Sequence, residues 1–318
     1  MNDIKISVFT TCYNQENYIA EAIESVVNQS IQPFEYIICD DCSTDRTWEI
    51  VQSYQSKYSD FIKSFRNEKN LGLYPNFNYA QSLVTGNLIT CVSGDDFILP
   101  NYFKDIFSFV EDNKLDPEND SFLIISNTVN QYPSGLKTYY SNQPFKDKSL
   151  ISCRLRYVLD ERFGFVSKKS FEKTGGFKTN IGLHADYLWG FDRLVNTEKF
   201  YFIDKYHSVY RVGVGVASKA KIVDSNKSFI STLEIVKSKY TTYFDEKDIN
   251  YFNYIYARCN YIIDNSFRKY FVLLIHTFKN IGNFGTNKKQ IKAFVLIFIP
   301  NFLKKALLKI SIINSVSN

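Results

Sequence analysis

The sequence predicts an α/β protein built on a mostly parallel, Rossmann-like sheet with helices on both faces. Three observations carry that expectation. Short apolar, β-branched runs alternate with amphipathic segments over residues 1–100. Polar and acidic residues gather where the runs end, at Thr11 and Asn14, at Asp40–Asp41 and at Asp95–Asp96. The chain has 318 residues and is 45% hydrophobic, a globular composition with room for one large domain or two ordinary ones.

Ile4 to Thr10 alternates apolar and polar residues and predicts the first strand. Ile19, Ala22, Ile23, Val26 and Val27 then share one face of a helix. Phe34–Cys39 predicts the second strand, and Ser43, Thr44 or Asp45 can cap the helix that carries Trp48, Ile50, Val51 and Tyr54. Phe61–Phe65 predicts a third strand. Asn70–Pro75 reads as a loop before a helix that runs to Val84. Leu88–Val92 reads as a buried strand that runs into Ser93-Gly94-Asp95-Asp96, where a glycine lets the backbone turn sharply. A helix from Tyr102 to Asn113 and a strand over Phe122–Ser126 follow, while residues 130–150 are polar, turn-rich and without a clear element. His184 to Trp189 opens a helix whose apolar face continues through Phe191, Leu194 and Val195. Beyond Ser218 the pattern is helical.

Parallel topology puts the ends of the strands on one edge of the sheet, where ligands of such folds sit. Four carboxylates there call for a cation or for hydrogen-bond donors, and paired carboxylates suit a hard divalent ion. Neither G-x-x-x-x-G-K-[ST] nor an early G-x-G-x-x-G is present, so phosphates would be held by metal and by side chains from elsewhere.

Charge is unevenly placed. The net charge is +5, yet after Asp264 there is no acid and nine Lys or Arg, leaving 29 basic against 33 acidic residues over 1–264. An acidic body argues against nucleic acid as a partner. The six cysteines form no disulfide framework, and Cys39 and Cys42 have no second C-x-x-C pair to complete a zinc site, so reduced thiols are expected. No basic-then-apolar leader opens the sequence, and no apolar run reaches the roughly 20 residues of a spanning helix. A cytoplasmic protein is therefore expected. In the tail, Ala293–Ile299 is wholly apolar. After Pro300, Phe302, Leu303, Ala306, Leu307 and Ile310 form one face, with Lys304, Lys305 and Lys309 off it, the pattern of an interfacial helix on anionic lipid, the alternative being a helix that packs on the body or on a second subunit.

Four pieces in order carry a resemblance: Ser7-Val8-Phe9-Thr10-Thr11-Cys12-Tyr13-Asn14, Tyr36-Ile37-Ile38-Cys39-Asp40-Asp41-Cys42-Ser43-Thr44-Asp45, Asn70-Leu71-Gly72 and Ser93-Gly94-Asp95-Asp96. Together they resemble the nucleotide-binding half of the family 2 glycosyltransferases, with the GT-A fold. Thr11 stands where that family commonly has proline and Cys42 where it commonly has glycine. Arg162 to Phe177 resembles the family's acceptor-side strand, short helix and glycine turn, and His207 to Gly215 resembles a segment that closes over the nucleotide-sugar site.

The resemblance implies roles. Thr11 and Asp40 would meet the uracil and ribose end of a UDP-sugar, with Asp95 on the ribose or sugar side and Asn14 among the residues that bind the donor. Asp96 would ligate Mn²⁺ or Mg²⁺ on the diphosphate, and Arg211 would either neutralise diphosphate charge or form a structural ion pair. Asp186, at a helix start before Trp189, would be the general base that takes the acceptor's proton. Ala185 occupies the place of the family's second acid, with His184 and then His207 in reserve as bases. The implied organisation is a catalytic domain over 1–217, divided at 100 into nucleotide and acceptor halves, and a helical region over 218–318. The implied activity is inverting transfer of a hexose from a UDP-sugar to a hydroxyl of a glycan. With the tail, this suggests a lipid-linked acceptor at the cytoplasmic face of the inner membrane, in O-antigen or capsule synthesis. A dTDP-sugar (rhamnosyl) transferase and a non-catalytic sugar-nucleotide or membrane-binding module are the alternatives.

Overall fold

A computed structural model describes residues 3–142, 149–155, 159, 162–215 and 220–264, with isolated positions up to 277. The basic tail from Ala293 to Lys309, read above as an interfacial helix, lies outside the described residues. Among the described residues no helix is long and apolar enough to cross a membrane.

Strands β1 (Ile6–Cys12), β2 (Glu35–Asp40), β3 (Ile62–Arg66) and β4 (Leu88–Cys91) alternate with helices α1 (Ile19–Val27), α2 (Thr47–Lys57) and α3 (Leu73–Ser82). Their order in the sheet is β3-β2-β1-β4, all parallel. The chain winds outward from β1 to β3 and then crosses to the other side of β1. The crevice between the ends of β1 and β4 is thus the switch point, where ligands bind in open α/β sheets.

The sheet continues as β8 (Phe165–Ser167), β6 (Phe122–Gln131), β9 (Lys199–Arg211) and β5 (Phe97–Ile98), with β7 (Lys137–Tyr140) paired to β6. This half is mixed. β6 and β9 run parallel, while the β4–β8, β6–β8, β6–β7 and β5–β9 pairs are antiparallel. Two features go beyond the sequence expectation. β6 runs on to Gln131, and residues 137–140 of the segment left without an element form β7. Both follow from pairing with remote strands, which local periodicity does not reveal.

One face of the sheet is covered by α1, α2 and α4 (Tyr102–Asp112), with Val8, Ile23, Val51, Phe103 and Ile106 in one core. The other face is covered by α3, α5 (Leu150–Leu155), α6 (Lys168–Thr174) and α7 (Ala185–Asn196), with Phe9, Ile89, Ala80 and Leu194 packed together. The five residues whose spacing predicted the buried face of α1, Ile19, Ala22, Ile23, Val26 and Val27, are all buried. α3 begins earlier than expected, at Leu73. Pro75 lies in its first turn, where its missing N–H costs nothing.

Two compact units emerge, 1–240 and 241–318. The first includes α8 (Ile222–Tyr240), whose Phe229 and Tyr240 rings meet Tyr187 and Phe191 of α7 at 5.1 and 5.3 Å. In the second, α9 (Glu246–Ile263) opens with a capping box. The Asp248 N–H donates to Asp245 Oδ1 at 2.7 Å, and the Asp245 N–H to Asp248 Oδ2 at 3.4 Å.

Candidate active site

The β1 and β4 ends are joined by backbone bonds: Val92 N–H donates to the Phe9 carbonyl at 3.0 Å and Gly94 N–H to the Thr11 carbonyl at 3.2 Å. Thr11 is buried there at the end of β1. Gly94 earns its place by close approach, since a Cβ would lie 2.4 Å from Gln15 Oε1 and 3.0 Å from Cys12 Cβ. Asn14 sits at φ 51 and accepts from the Thr44 N–H at 2.8 Å, stapling the loop after β1 to the loop after β2.

The loop after β2 is held by its own acids. Asp40 is fully buried. It accepts from the Ser43 N–H at 2.9 Å and from the Ser43 hydroxyl, and pairs with Arg66 Nε at 3.4 Å. Asp41 accepts from Asn67 Nδ2 and the Leu71 N–H, and its other oxygen accepts from the Gly72 N–H, each at 2.8 Å. Between these anchors Cys42 takes φ 60, the left-handed backbone for which glycine is the low-cost residue. The sequence pointed to Asp40 as a nucleotide contact. The structure gives its carboxylate to Ser43 and Arg66, and gives Asp41 the shaping of the Asn70–Gly72 loop, a role missed because the donors lie up to 31 residues away.

The Asp95–Asp96 pair is built differently. Asp96 is 4% exposed and accepts from the Arg211 N–H at 2.8 Å. Burial, reinforced by the adjacent Asp95 carboxylate, pushes its carboxyl up to about 8. Arg211 donates through Nη1 to the Asp95 carbonyl at 2.7 Å and through Nη2 to Glu21, and stacks 4.6 Å from the Phe97 ring centre. Arg211 therefore holds the turn together from beneath. The chain after it passes over the pair: a Cβ on Gly215 would lie 3.2 Å from Asp95 Oδ2.

A cavity of about 520 Å³ opens between the sheet and the helices of its second face. Phe9, Ile89 and Val166 form its floor, and α3 and α7 form walls with Tyr74, Phe77 and Trp189. Asp96 borders it, as does Asp186, in the first turn of α7. Of the residues read from the sequence, these two meet at the cavity; Thr11, Asn14, Asp40, Asp95 and Arg211 frame the strand edge beside it.

Asp186 is exposed, and its Oδ1 accepts from the Tyr74 hydroxyl at 3.1 Å. That hydroxyl also reaches the Leu183 carbonyl at 2.7 Å. Tyr74, Phe177 and Trp189 form an aromatic wall beside it, with Phe177 4.9 Å from Tyr74 and 4.8 Å from Trp189. The glycine turn fixes this wall. Gly175 takes φ 66 and accepts from Trp189 Nε1 at 2.8 Å, and Gly176 passes so close to Asn78 that a Cβ would clash. The reserve bases point elsewhere. His184 Nε2 is 3.1 Å from the Ser225 hydroxyl, and His207 is buried against Asp105 at 2.9 Å and stacked on Tyr102. Two cavity residues escaped sequence reading, Arg154 and Arg193, because they come from separate parts of the chain, and Arg162 was read only as the start of the acceptor-side segment.

A divalent ion fits the Asp95–Asp96 turn chemically. Two adjacent carboxylates, one buried beside the cavity and reluctant to ionise alone, form an oxygen donor set that a hard cation complements. Among the described residues no three such ligands converge, so remaining positions would fall to phosphate oxygens and water.

The fold, a switch-point sheet with acids at its strand edge, is of the GT-A type. The chain belongs to glycosyl transferase family 2, whose profile matches residues 7–175. It is 39% identical over 110 residues to EpsE of Bacillus subtilis (strain 168), provisionally named a glycosyltransferase, covering 35% of this chain and 40% of that one. It is 28% identical over 158 residues to the Staphylococcus aureus poly(ribitol-phosphate) beta-N-acetylglucosaminyltransferase TarS, covering 49% of this chain and 26% of TarS. The chain thus matches less than half the length of either relative. Among solved structures, TarS 1–349 in complex with UDP-GlcNAc superposes with a TM-score of 0.61 at 19% identity, over 87% of this chain and 81% of that one. The Pyrobaculum calidifontis mannosyltransferase PcManGT, in complex with GDP-Man and Mn²⁺, superposes with a TM-score of 0.55 at 13% identity, over 92% and 79%.

Proposed function

We propose that the protein is an inverting glycosyltransferase that moves a hexose from a UDP-sugar to a hydroxyl of a glycan acceptor. The observation that carries this reading is the shared cavity: Asp96, at the switch-point turn, and Asp186, at the start of α7, border the same space. The donor's nucleotide runs along the strand edge framed by Thr11, Asn14, the Asp40 loop and Asp95, and its diphosphate meets Asp96. A divalent ion on Asp96 would supply charge stabilisation for the leaving diphosphate. The TarS and PcManGT complexes, one with UDP-GlcNAc and one with GDP-Man and Mn²⁺, support a nucleotide-sugar donor on this fold.

Asp186 acts as the base. The acceptor oxygen attacks C1 of the sugar, its proton passes to the Asp186 carboxylate, and the C1–oxygen bond to the diphosphate breaks as UDP leaves. One displacement inverts the anomeric centre. The Tyr74 hydroxyl orients the carboxylate, and the Phe177–Trp189 wall offers apolar surface to a sugar ring. Arg211 serves the site from outside the cavity, by holding the Asp95–Asp96 turn. The basic tail is the proposed contact to the inner membrane, where a lipid-linked acceptor for surface polysaccharide would be met.

The test is to incubate the purified chain with Mn²⁺ and a panel of UDP-, dTDP- and GDP-sugars, following nucleotide release and the anomeric proton of the product. Release from an α-linked UDP-sugar with a β-linked product supports the proposal. Release from dTDP-sugars alone moves it to the rhamnosyl alternative. No release, together with no nucleotide binding by folded protein, overturns it.

A further inference from the structure

The cavity wall beside Asp186 is a run of rings that continues to the sheet. Tyr74 meets Phe177 at 4.9 Å, and Phe177 meets Trp189 at 4.8 Å and Phe77 at 4.5 Å. Phe77 in turn meets Phe9 edge-on at 4.8 Å. Tyr74 and Trp189 stand next to Asp186, whereas Phe9 lies on the cavity floor with Ile89 and Val166, all three of them buried. Carbon surface therefore runs unbroken from the base to the floor. The polar atoms of this wall are turned into the protein. The Tyr74 hydroxyl is taken by the Leu183 carbonyl and by Asp186, and Trp189 Nε1 donates to the Gly175 carbonyl. Both polar atoms of the Asn78 amide bond the Phe177 backbone, at 2.7 and 2.8 Å. The guanidinium groups are engaged as well. Arg193 Nη2 donates to the Gly164 carbonyl at 3.3 Å, and Arg154 Nη2 to the Asp186 carbonyl at 2.8 Å.

Desolvation then decides what this end of the cavity takes. Ser93 and Asp96 border the cavity from the turn after β4, the side given to the donor. A sugar ring can lay its C–H face on the aromatic wall. A substituent that reaches past the wall toward the floor leaves water, and a hydroxyl there meets only the side chains of Phe9, Ile89 and Val166, which offer it no hydrogen bond. A hydrocarbon substituent gains by the same move, in proportion to the surface it buries.

We infer that the acceptor carries a short hydrocarbon group near its attacking hydroxyl, and that this group fills the space between the aromatic wall and the Phe9–Ile89–Val166 floor; this rests on the transferase reading of the cavity. The hydrocarbon is an acyl substituent on the acceptor sugar or the first carbons of an apolar aglycone. Phe77, which touches both the wall and the floor, sets the depth of the space and so the length of the group.

The test uses the full chain with UDP and Mn²⁺ present, and two homologous series beside glucose: N-acylglucosamines from formyl to butyryl, and alkyl glucosides from methyl to butyl. Saturation-transfer NMR reads the binding of each sugar and of UDP in the same samples. In at least one series affinity rises about fourfold for each added carbon, the worth of a buried methylene, and stops rising once the space is full. A rise along the N-acyl series puts the hydrocarbon on the sugar, and a rise along the alkyl glucosides alone puts it on the aglycone. Ile89→Val, a mild change that deepens the floor, shifts the best ligand to a longer chain. Val166→Phe fills the space and abolishes the rise while UDP still binds. Flat binding along both series while UDP binds overturns the inference and leaves the transferase reading intact. A rise that both variants leave unchanged also overturns it, since the hydrocarbon then sits elsewhere. No UDP binding, with the rise present and sensitive to the variants, overturns the transferase reading and leaves the apolar site.

Discussion

Two acidic pairs stand at the same edge of the sheet, and in sequence they look alike. Asp40–Asp41 follows β2 and Asp95–Asp96 follows β4. In the fold they have opposite surroundings. Ser43, Arg66, Asn67, Leu71 and Gly72 all donate to the first pair, and both its members are at most 3% exposed. Asp96 borders the cavity and is pushed up toward about 8 because burial outweighs the Arg211 N–H it receives. A carboxylate satisfied by protein donors stabilises a loop. A carboxylate kept short of donors in a cleft costs stability and is a candidate for ligand chemistry. The difference lies in the donors, which neighbouring sequence does not display.

The largest expected effect comes from a third acid, Asp186, which sharpens the functional side of that contrast. Asp186→Asn should lower transfer by about 10²–10⁴-fold, the usual worth of a general base, while UDP binding and the unfolding midpoint stay at their original values. Steady-state rates beside a UDP titration check it. On the structural side, Asp41→Ala strands the Leu71 and Gly72 N–H groups and the Asn67 amide. Denaturant unfolding should register a loss of about 2–4 kcal/mol. Asp96→Asn is the counterpart. It replaces a carboxyl that burial already keeps mostly neutral with a neutral amide of the same shape, and should leave the unfolding midpoint equal or higher, measured by calorimetry beside Asp41→Ala.

Smaller effects follow. Tyr74→Phe removes the hydroxyl that donates to Asp186, and should lower kcat by about 3–10-fold with little change in donor KM, the worth of one hydrogen bond. The smallest is a pH dependence away from both pairs. Burial holds His207 and His184 below their ordinary 6.5, so the unfolded chain binds more protons in the window beneath that value. Their contribution to stability is therefore full above 6.5 and declines as pH falls through the window, while the raised Asp96 carboxyl contributes the opposite slope. In the Asp96→Asn background, which removes that opposing slope, unfolding midpoints between about pH 7.5 and about pH 5.5 should show the decline, and adding His207→Gln should remove its own share, leaving that of His184.

The first half of the fold was legible because its signals are local. Apolar spacing sets α1, β-branched runs set β2 and β4, and alternation fixes the parallel order that brings Thr11 and Asp96 to one edge. The second half was less legible. β9 pairs with β6 across about 80 residues and shifts register around Asn127, so no short window predicts either strand's length. Gly94 was read as a turn residue, whereas contact with Gln15 and Cys12 is what requires it. Cys42 shows the reverse, a side chain held at a glycine-type φ of 60 by anchored neighbours. Asp186 was found from a helix start, but its partner Tyr74 lies 112 residues earlier and the three arginines share no motif. Long-range juxtaposition is what the sequence hides.

The central claim is that Asp96, and not the Asp40–Asp41 pair, meets the donor's metal-bound diphosphate. Calorimetric titration of UDP into the unaltered chain and into Asp96→Asn, each with and without Mn²⁺, tests it most directly. The account predicts Mn²⁺-dependent UDP binding in the first and its loss in the second, with the variant fully folded. Equal Mn²⁺-dependent binding in both proteins would contradict it.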